Sequence, residues 1–316
     1  MKSSFLKKYQ PKMFNGFIID NNVIDLLDTL INTNELILLF IGSEGCGKTS
    51  LINATINEYY GEDKPDLNDI LYINNLKEQG IQYYRTELKT FCQTKSSIYN
   101  KKKFIILDDI DNINEQSQQV FRNCIDKYKK NINILCSCNN LQKVIESIQS
   151  RCLIVYLNKI DKSMQKKIFL NITSKENIEY DEECVDFLIN LSNGSIRLLI
   201  NFLEKFKILN YKITNDTIKE ICTNISFMEF EKYTNHVLNK KYKEAINTIF
   251  NIHTKGYSVM DILDSYFQFI KNTNMVDESI KYEIIKIICK FITIFHKLHE
   301  SKIELAIFTN NLIKLI

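Results

Sequence analysis

The sequence predicts a parallel α/β domain followed by an all-helical remainder. Three observations carry that prediction. Between residues 35 and 156, short apolar runs alternate with stretches of helical period, the pattern that builds a parallel sheet covered by crossover helices. The first run flows directly into a glycine-rich loop ending in Gly-Lys-Thr, and a helical stretch follows it. After Tyr156 the strand signal stops, and apolar positions recur only at helical spacing.

The composition sets the outer bounds. A chain of 316 residues is too long for one compact core and suits two or three domains. At 45% hydrophobic and 25% charged it matches a globular protein and excludes general disorder. Eight glycines and two prolines exclude collagen-like or proline-rich sequence and predict helices with short connections. The net charge of +3 neither demands nor excludes a nucleic-acid partner; only a local basic patch would bear on that. The longest apolar runs, such as Leu36–Ile41, fall far short of the ~20 residues that span a bilayer, so no membrane partner is expected. The N-terminal MKSSFLKKYQ has lysines but no apolar core, so secretion is not expected. The nine cysteines are scattered without a CxxC, and the four histidines lie in the last third. A Cys/His zinc site is therefore not expected, and the cysteines read as reduced thiols.

The elements follow in order. Leu36–Ile41 is a continuous apolar run, as a strand covered on both faces should be. Ser50–Tyr59 reads as a helix. Ile70–Ile73, Phe104–Leu107, Ile132–Cys138 and Cys152–Tyr156 are further strands, with Cys136 and Cys138 on one side of theirs, facing the core. Ile81, Tyr84, Leu88 and Phe91 mark a helix between the second and third strands. Residues 163–205 hold about three short helices, one starting after Ser195 as N-cap. Tyr242, Ala245, Ile246, Ile249 and Phe250 form one apolar stripe. Gly256-Tyr257-Ser258 is a turn, and Ser258 with Asp261 resembles a capping box. Ile284, Ile285, Ile288, Phe291, Ile292 and Phe295 form a wide stripe that reads as domain core or as a subunit interface. His296 and His299, too few for a metal site, read as exposed-face residues.

The loop Gly42-Ser43-Glu44-Gly45-Cys46-Gly47-Lys48-Thr49, with Ser50 after it, fits G-x-x-x-x-G-K-[ST] in its strand–loop–helix setting. Glycines let the backbone curl so that its N–H groups face phosphate oxygens, and the next helix adds its positive end. Lys48 would sit on the β- and γ-phosphates of ATP, and the Thr49 hydroxyl on Mg²⁺. Leu107-Asp108-Asp109 ends the strand beginning at Phe104. An acid at that point is where a Walker-B carboxylate holds Mg²⁺, which makes Asp108 a second metal-site residue.

Several segments then point to one family. Lys8-Tyr9-Gln10-Pro11-Lys12 looks like KYRPK. Asn74–Ile81, with Arg85, Lys89, Thr90, Phe91, Gln93, Thr94 and Lys95, looks like NASDxRGIDVVRxxIKxFAQTK. Asp108-Asp109-Ile110-Asp111, with Gln118, Gln119 and Arg122, resembles DEAD…QQALRR. Cys138-Asn139-Asn140 through Ile148-Gln149-Ser150-Arg151-Cys152 is similar to CNYxxKIIEPIQSRC without a gap. Gly194-Ser195-Ile196-Arg197, ending at Asn201, looks like GDMRxxLN, and Gly256-Tyr257-Ser258 with Asp261-Ile262 matches GYSxxDI. Over nearly its whole length the chain resembles the small subunits of replication factor C, the AAA+ clamp loader.

The resemblance implies an AAA+ P-loop NTPase domain at 1–158, a helical lid at 159–225 and an all-α collar at 226–316. It implies that Asn139 is sensor 1, that Arg197 is sensor 2, and that Arg151 is an arginine finger inserted into a neighbouring subunit's ATP site. Asp109 would be the Walker-B catalytic carboxylate. Tyr9, Pro11, Phe17 and Ile18 would line the adenine pocket. Arg85 and Lys89, four apart on one helix, would track the DNA backbone without reading its sequence. The implied partners are the other subunits of a pentameric ring, a PCNA-like sliding clamp and primer–template DNA. The implied place is the nucleus of a cell or the replication factory or cytoplasm of a virus-infected one. Four positions depart from the family pattern: Asp109 replaces glutamate, Ser43-Glu44 replaces Pro-Pro, Gln10 replaces arginine and Ser195 replaces aspartate. They bear on hydrolysis more than on nucleotide binding. Two alternatives stay open at this point: a non-hydrolysing structural subunit that binds ATP and supplies the trans arginine, and another AAA+ DNA-remodelling ATPase.

Overall fold

The computed structural model describes residues 4–17, 20–61, 67–73, 81–223, 225–273, 275–295 and 300–315. Ile18, residues 74–80, His296 and His299 lie outside the described residues, as does the side chain of Arg85. The chain divides into two compact units, one of residues 1–172 with 194–201, the other of 173–193 with 202–316.

The first unit is built on a five-stranded sheet: β1 (Ile37–Gly42), β2 (Ile70–Ile73), β3 (Lys103–Leu107), β4 (Ile132–Cys138) and β5 (Leu153–Leu157). The spatial order is β2-β3-β4-β1-β5, and every pairing is parallel. Its helices are α1 (Phe5–Lys8), α2 (Asn21–Thr33), α3 (Lys48–Tyr60), α4 (Ile81–Gln93), α5 (Glu115–Tyr128), α6 (Glu146–Gln149) and the first part of α7 (Lys162–Glu176). All five expected strands form within one residue of the expected bounds, and the helix expected after the P-loop is α3.

The strands are apolar on both faces because each face packs against helices. Leu38 and Phe40 of β1 join Leu27, Leu51 and Ile52 in one core, on the side of α2 and α3. Leu39 and Ile41 join Leu88, Phe121 and Ile125 in a second core, on the side of α4 and α5. The two-residue period of the strand therefore sorts one run into two layers. Cys136 and Cys138 are buried in the second layer, as their placement on one side of β4 predicts.

The second unit holds α8 (Val185–Ser192), most of α9 (Ile196–Leu209), α10 (Asn215–Ile221), α11 (Phe227–Leu238), α12 (Tyr242–Thr254), α13 (Val259–Asn272), α14 (Glu278–Phe295) and α15 (Lys302–Leu315). Ser195 accepts from Leu198 N–H as the expected cap of α9. Ser258 and Asp261 form the capping box that opens α13. The stripe on α14 resolves as core: Ile284, Ile288 and Phe291 are buried against α11, α13 and α15 residues, with Ile285 and Ile292 packed beside them. Tyr233 and Tyr266 lie inside that core, and each keeps its hydroxyl bonded, to Thr309 at 2.9 Å and to Thr234 at 3.2 Å. Among the described residues, no helix is long and apolar enough to cross a membrane.

Candidate nucleotide-binding site

The site lies at the C-terminal ends of β1, β3 and β4, within the first unit. Parallel strands leave their ligand crevice on that edge. β1 ends at Gly42 and α3 begins at Lys48, so the loop between them has to reverse in five residues. Gly45 and Gly47 take φ of 74° and 103° to do so, a region where side chains are strained. Gly45 has a second reason to be glycine. A Cβ there would come within 2.1 Å of Ser195 Oγ, and the Ile196 N–H donates to Gly45 O at 3.2 Å. The segment around Ser195 therefore seats directly on the P-loop.

Lys48 is buried, with its ammonium donating to Gly42 O at 2.8 Å, Ser43 O at 3.0 Å and Asn139 Oδ1 at 2.7 Å. The Thr49 hydroxyl donates to Asp108, at 3.0 Å to Oδ2 and 3.2 Å to Oδ1. Asp109 projects from a left-handed backbone position, φ 53° and ψ 54°. Asn139 Nδ2 lies 3.4 Å from Asp109 Oδ1, and the Asn139 and Asn140 N–H groups donate to Asp111 Oδ2 at 3.2 and 3.1 Å. Burial pushes the Asp109 carboxyl above the ordinary carboxylate range, helped by the charges of Asp108 and Asp111 and opposed by Lys48 and Arg197.

These residues face a cavity of about 380 Å³. Glu44 to Ser50, Asp108, Asp109, Asn139 and Arg197 form its polar wall. Tyr9, Gln10, Pro11 and Phe17 close one end, and Gln10 Nε2 donates to Ser50 Oγ at 3.3 Å. The structure thus brings together the P-loop, both aspartates, Asn139, Arg197 and three of the four residues expected around adenine; the fourth, Ile18, is outside the described residues. The sequence reading missed an apolar wall made by Leu6, Ile160, Ile168, Ile172, Ile196 and Ile200. It also missed Ser137, whose hydroxyl bonds Asp108 and the Asp109 N–H. Gln118 was visible only as part of a motif. It is fully buried and ties two loops together, donating to Ile113 O and Lys143 O and accepting from Ile145 N–H.

Two family models match the chain in tandem. The model for the ATPase family associated with various cellular activities matches residues 38–160, and the replication factor C C-terminal domain matches 225–299. A putative replication factor C small subunit of Acanthamoeba polyphaga mimivirus is 29% identical over 98% of this chain and 96% of its own length. A Methanococcus maripaludis replication factor C small subunit is 28% identical over 92% and 93%. Replication factor C subunit 4 of Saccharomyces cerevisiae is 27% identical over 89% and 87%. The chain is thus similar to replication factor C small subunits along nearly its whole length. Its match to the ATPase model makes it an AAA+ ATPase, a nucleotide-binding protein. Solved structures with similar folds include the RuvB Holliday junction branch migration motor of Thermotoga maritima, with a TM-score of 0.53, 14% identity and coverage of 74% and 80%. A DNA polymerase III gamma subunit-related protein from the same organism has a TM-score of 0.54 and 14% identity, covering 91% and 98%. At that identity both speak to fold alone.

Two replication factor C motifs lie apart from the cavity. Arg151, after α6, is not among its lining residues. Its Nε donates to Asp126 Oδ1 at 2.6 Å and its Nη1 to Ser147 O at 2.7 Å. The Arg151 guanidinium holds the Asp126 carboxyl below its usual range, and Arg122 adds to this from 3.6 Å. Lys89 is exposed on α4, one turn from Arg85 on the same helix.

Proposed function

We propose that the chain is one subunit of an ATP-dependent clamp loader that opens a sliding clamp and places it on primer–template DNA. The observation that carries this reading is the union, in one chain, of a complete P-loop site with a C-terminal region that matches the replication factor C model over residues 225–299. We divide the chain into a nucleotide-binding domain at 1–158, a lid at 159–225 and a collar at 226–316. The collar joins other subunits in a pentameric ring. Arg85 and Lys89 face DNA phosphates in the ring's channel. The clamp is PCNA-like, and the protein works where DNA is replicated, in a nucleus or a viral replication factory.

The residues fit ATP with Mg²⁺. Gly45 and Gly47 take the left-handed φ that lets the P-loop backbone curl its N–H groups toward a phosphate. Thr49 and Asp108 bring hard oxygen donors to within 3.0 Å of each other, the donor type that Mg²⁺ prefers. When bound, the ion neutralises charge on the phosphates. Lys48 holds the β- and γ-phosphates. Asp109 accepts a proton from, or orients, the attacking water, and Asn139 lies between Asp109 and Lys48, close to the lysine at 2.7 Å and looser on the acid at 3.4 Å. Arg197 reads the nucleotide from the lid side. Tyr9, Pro11 and Phe17, with Ile18, hold the base. Arg151, which is not a lining residue of its own cavity, supplies its guanidinium to the neighbour's nucleotide.

Asp109 keeps a second reading in view, a subunit that binds ATP, lends Arg151 and hydrolyses slowly or not at all at its own site. The test is reconstitution with the partner subunits from the native source, followed by loading of the cognate clamp onto primed circular DNA. ATP-dependent loading that requires this chain is the expected result. A complex that lacks this chain and loads at the same rate would overturn the proposal.

A further inference from the structure

We propose that Ser137 is a positioning residue for ATP hydrolysis: one buried hydroxyl on β4 directs the Asp108 carboxylate and holds the backbone turn from which Asp109 projects. The proposal rests on the ATPase reading of the site. Ser137 is fully buried and pairs with Phe40 of β1 at the centre of the sheet. Its O–H donates to Asp108 Oδ1, and its oxygen accepts the Asp109 N–H at 2.9 Å. A serine hydroxyl offers one donor and two acceptor positions. Here the donor and one acceptor are spent on two consecutive acids.

The two acids need different things. Asp108 has a second partner, the Thr49 hydroxyl at 3.0 Å, so its carboxylate is clamped between a hydroxyl from α3 and one from β4. Either bond alone would leave the carboxylate free to turn about its last torsion, which is broad for aspartate. Asp109 sits at φ 53° and ψ 54°, a conformation that a non-glycine residue keeps only where its surroundings impose it. The bond from its N–H to Ser137 supplies that constraint. Two residues beyond Ser137, Asn139 reaches Asp109 Oδ1 at 3.4 Å and Lys48 Nζ at 2.7 Å. Ser137 near the end of β4 and Asn139 just past it therefore contact both acids and the P-loop lysine between them.

The test uses the full chain assembled with its partner subunits. Ser137→Ala removes the hydroxyl. Ser137→Cys keeps the shape but is a weak donor and acceptor. Ser137→Thr restores the hydroxyl. Binding of a fluorescent ATP analogue is titrated with and without Mg²⁺, and kcat and KM are then measured. In the Ala and Cys variants the gain in nucleotide affinity on adding Mg²⁺ should shrink by about 10-fold, and kcat should fall by roughly 10- to 100-fold, the usual range for a group that orients a metal ligand. Metal-free affinity should stay near wild type, and the Thr variant should recover both quantities. Wild-type metal dependence and kcat in a folded Ala or Cys variant would overturn the proposal. Should Ser137→Ala not fold, the Cys and Thr variants decide between them: impaired Cys with intact Thr supports it, and equal behaviour sinks it. Asp108→Asn is the control for the underlying reading. If it leaves the Mg²⁺ dependence unchanged, the metal-site assignment itself has failed, and the role of Ser137 falls with it.

Discussion

Replacing Asp109 with glutamate should make the enzyme faster. Asp109 stands where the replication factor C pattern has glutamate, and its carboxylate is one methylene shorter, a difference of about 1.5 Å in reach. The present geometry is slack: Asn139 Nδ2 is 3.4 Å from Asp109 Oδ1, beyond the usual range for such a bond. An ångström of misplacement at a reacting centre can cost on the order of 10²-fold. Asp109→Glu should therefore raise turnover by about 10- to 100-fold, equivalent to about 1.4–2.7 kcal/mol of barrier, with ATP affinity unchanged. The assay is steady-state ATPase of the reconstituted complex with clamp and primed DNA, this subunit alone being altered. Unchanged or lower turnover in a variant that binds ATP normally would refute the reasoning. The pH dependence has a definite sign. Burial and the neighbouring acids raise the Asp109 pKa in the folded state, so the acid limb of the rate should lie above that of an ordinary carboxylate. For stability, the folded state binds this proton more tightly than the unfolded chain. That contribution is complete below the unfolded pKa of about 3.9 and is lost as pH rises through the folded value. Asp109→Asn should accordingly raise Tm at pH 7, and the gain should vanish near pH 3.

Three further outcomes follow from the site. Lys48→Ala removes three donated bonds and should abolish Mg·ATP binding, read by calorimetry, while the far-UV spectrum is retained; wild-type affinity would refute the phosphate-site assignment. Arg151→Ala should lower the complex's rate by roughly 10³-fold at the affected site and leave this chain's own ATP affinity intact, because Arg151 is not a lining residue of its own cavity; full DNA-stimulated activity would rule out a finger. Arg85→Glu with Lys89→Glu should weaken DNA binding of the assembled ring equally across sequences and flatten its salt dependence; an unchanged slope in a filter-binding titration would mean that α4 does not meet DNA.

What the sequence disclosed and what it hid have physical reasons. The P-loop, the five strands and the capping box at Ser258 are local: each depends on residues within a few positions of one another. The apolar wall of the cavity is not. Ile160, Ile168 and Ile172 around α7 and Ile196 and Ile200 on α9 lie on apolar helix faces, and such a face reads as core whether it packs on protein or on a ligand. The packing of residues 194–201 with the first unit is a non-local contact, and periodicity carries no information about it. The width of the stripe on α14 favoured core but left an interface open until its neighbours were known. Ser137 did leave a trace, a polar residue that with Asn133 interrupts an apolar buried strand. A hydroxyl buried there has to find partners, and the nearest strand end carries Asp108.

The four departures from the family pattern do not weigh equally once their surroundings are considered. Gln10 keeps the N-terminal segment joined to α3 through Ser50, so the end of the cavity lined by Tyr9, Gln10 and Pro11 stays tied to α3 without an arginine. Ser195 lies against Gly45 so closely that a Cβ on the glycine would collide with it. The short side chain and the glycine fit as a pair, and the Ile196 N–H bond to Gly45 O holds the contact. Glu44 is exposed at the rim, where water screens its charge. Each of these three is absorbed by its immediate neighbours and leaves the nucleotide cradle intact. Asp109 is different, because no neighbour makes up its missing length: Asn139 Nδ2 meets its carboxylate only at a long 3.4 Å. Ser137 fixes the backbone from which the side chain starts but cannot extend it. On the proposed reading, the departures therefore separate into three that preserve binding and one that acts on the hydrolytic step. A subunit altered in that way is expected to bind ATP as tightly as its relatives and to differ from them in how long it stays in the ATP-bound state.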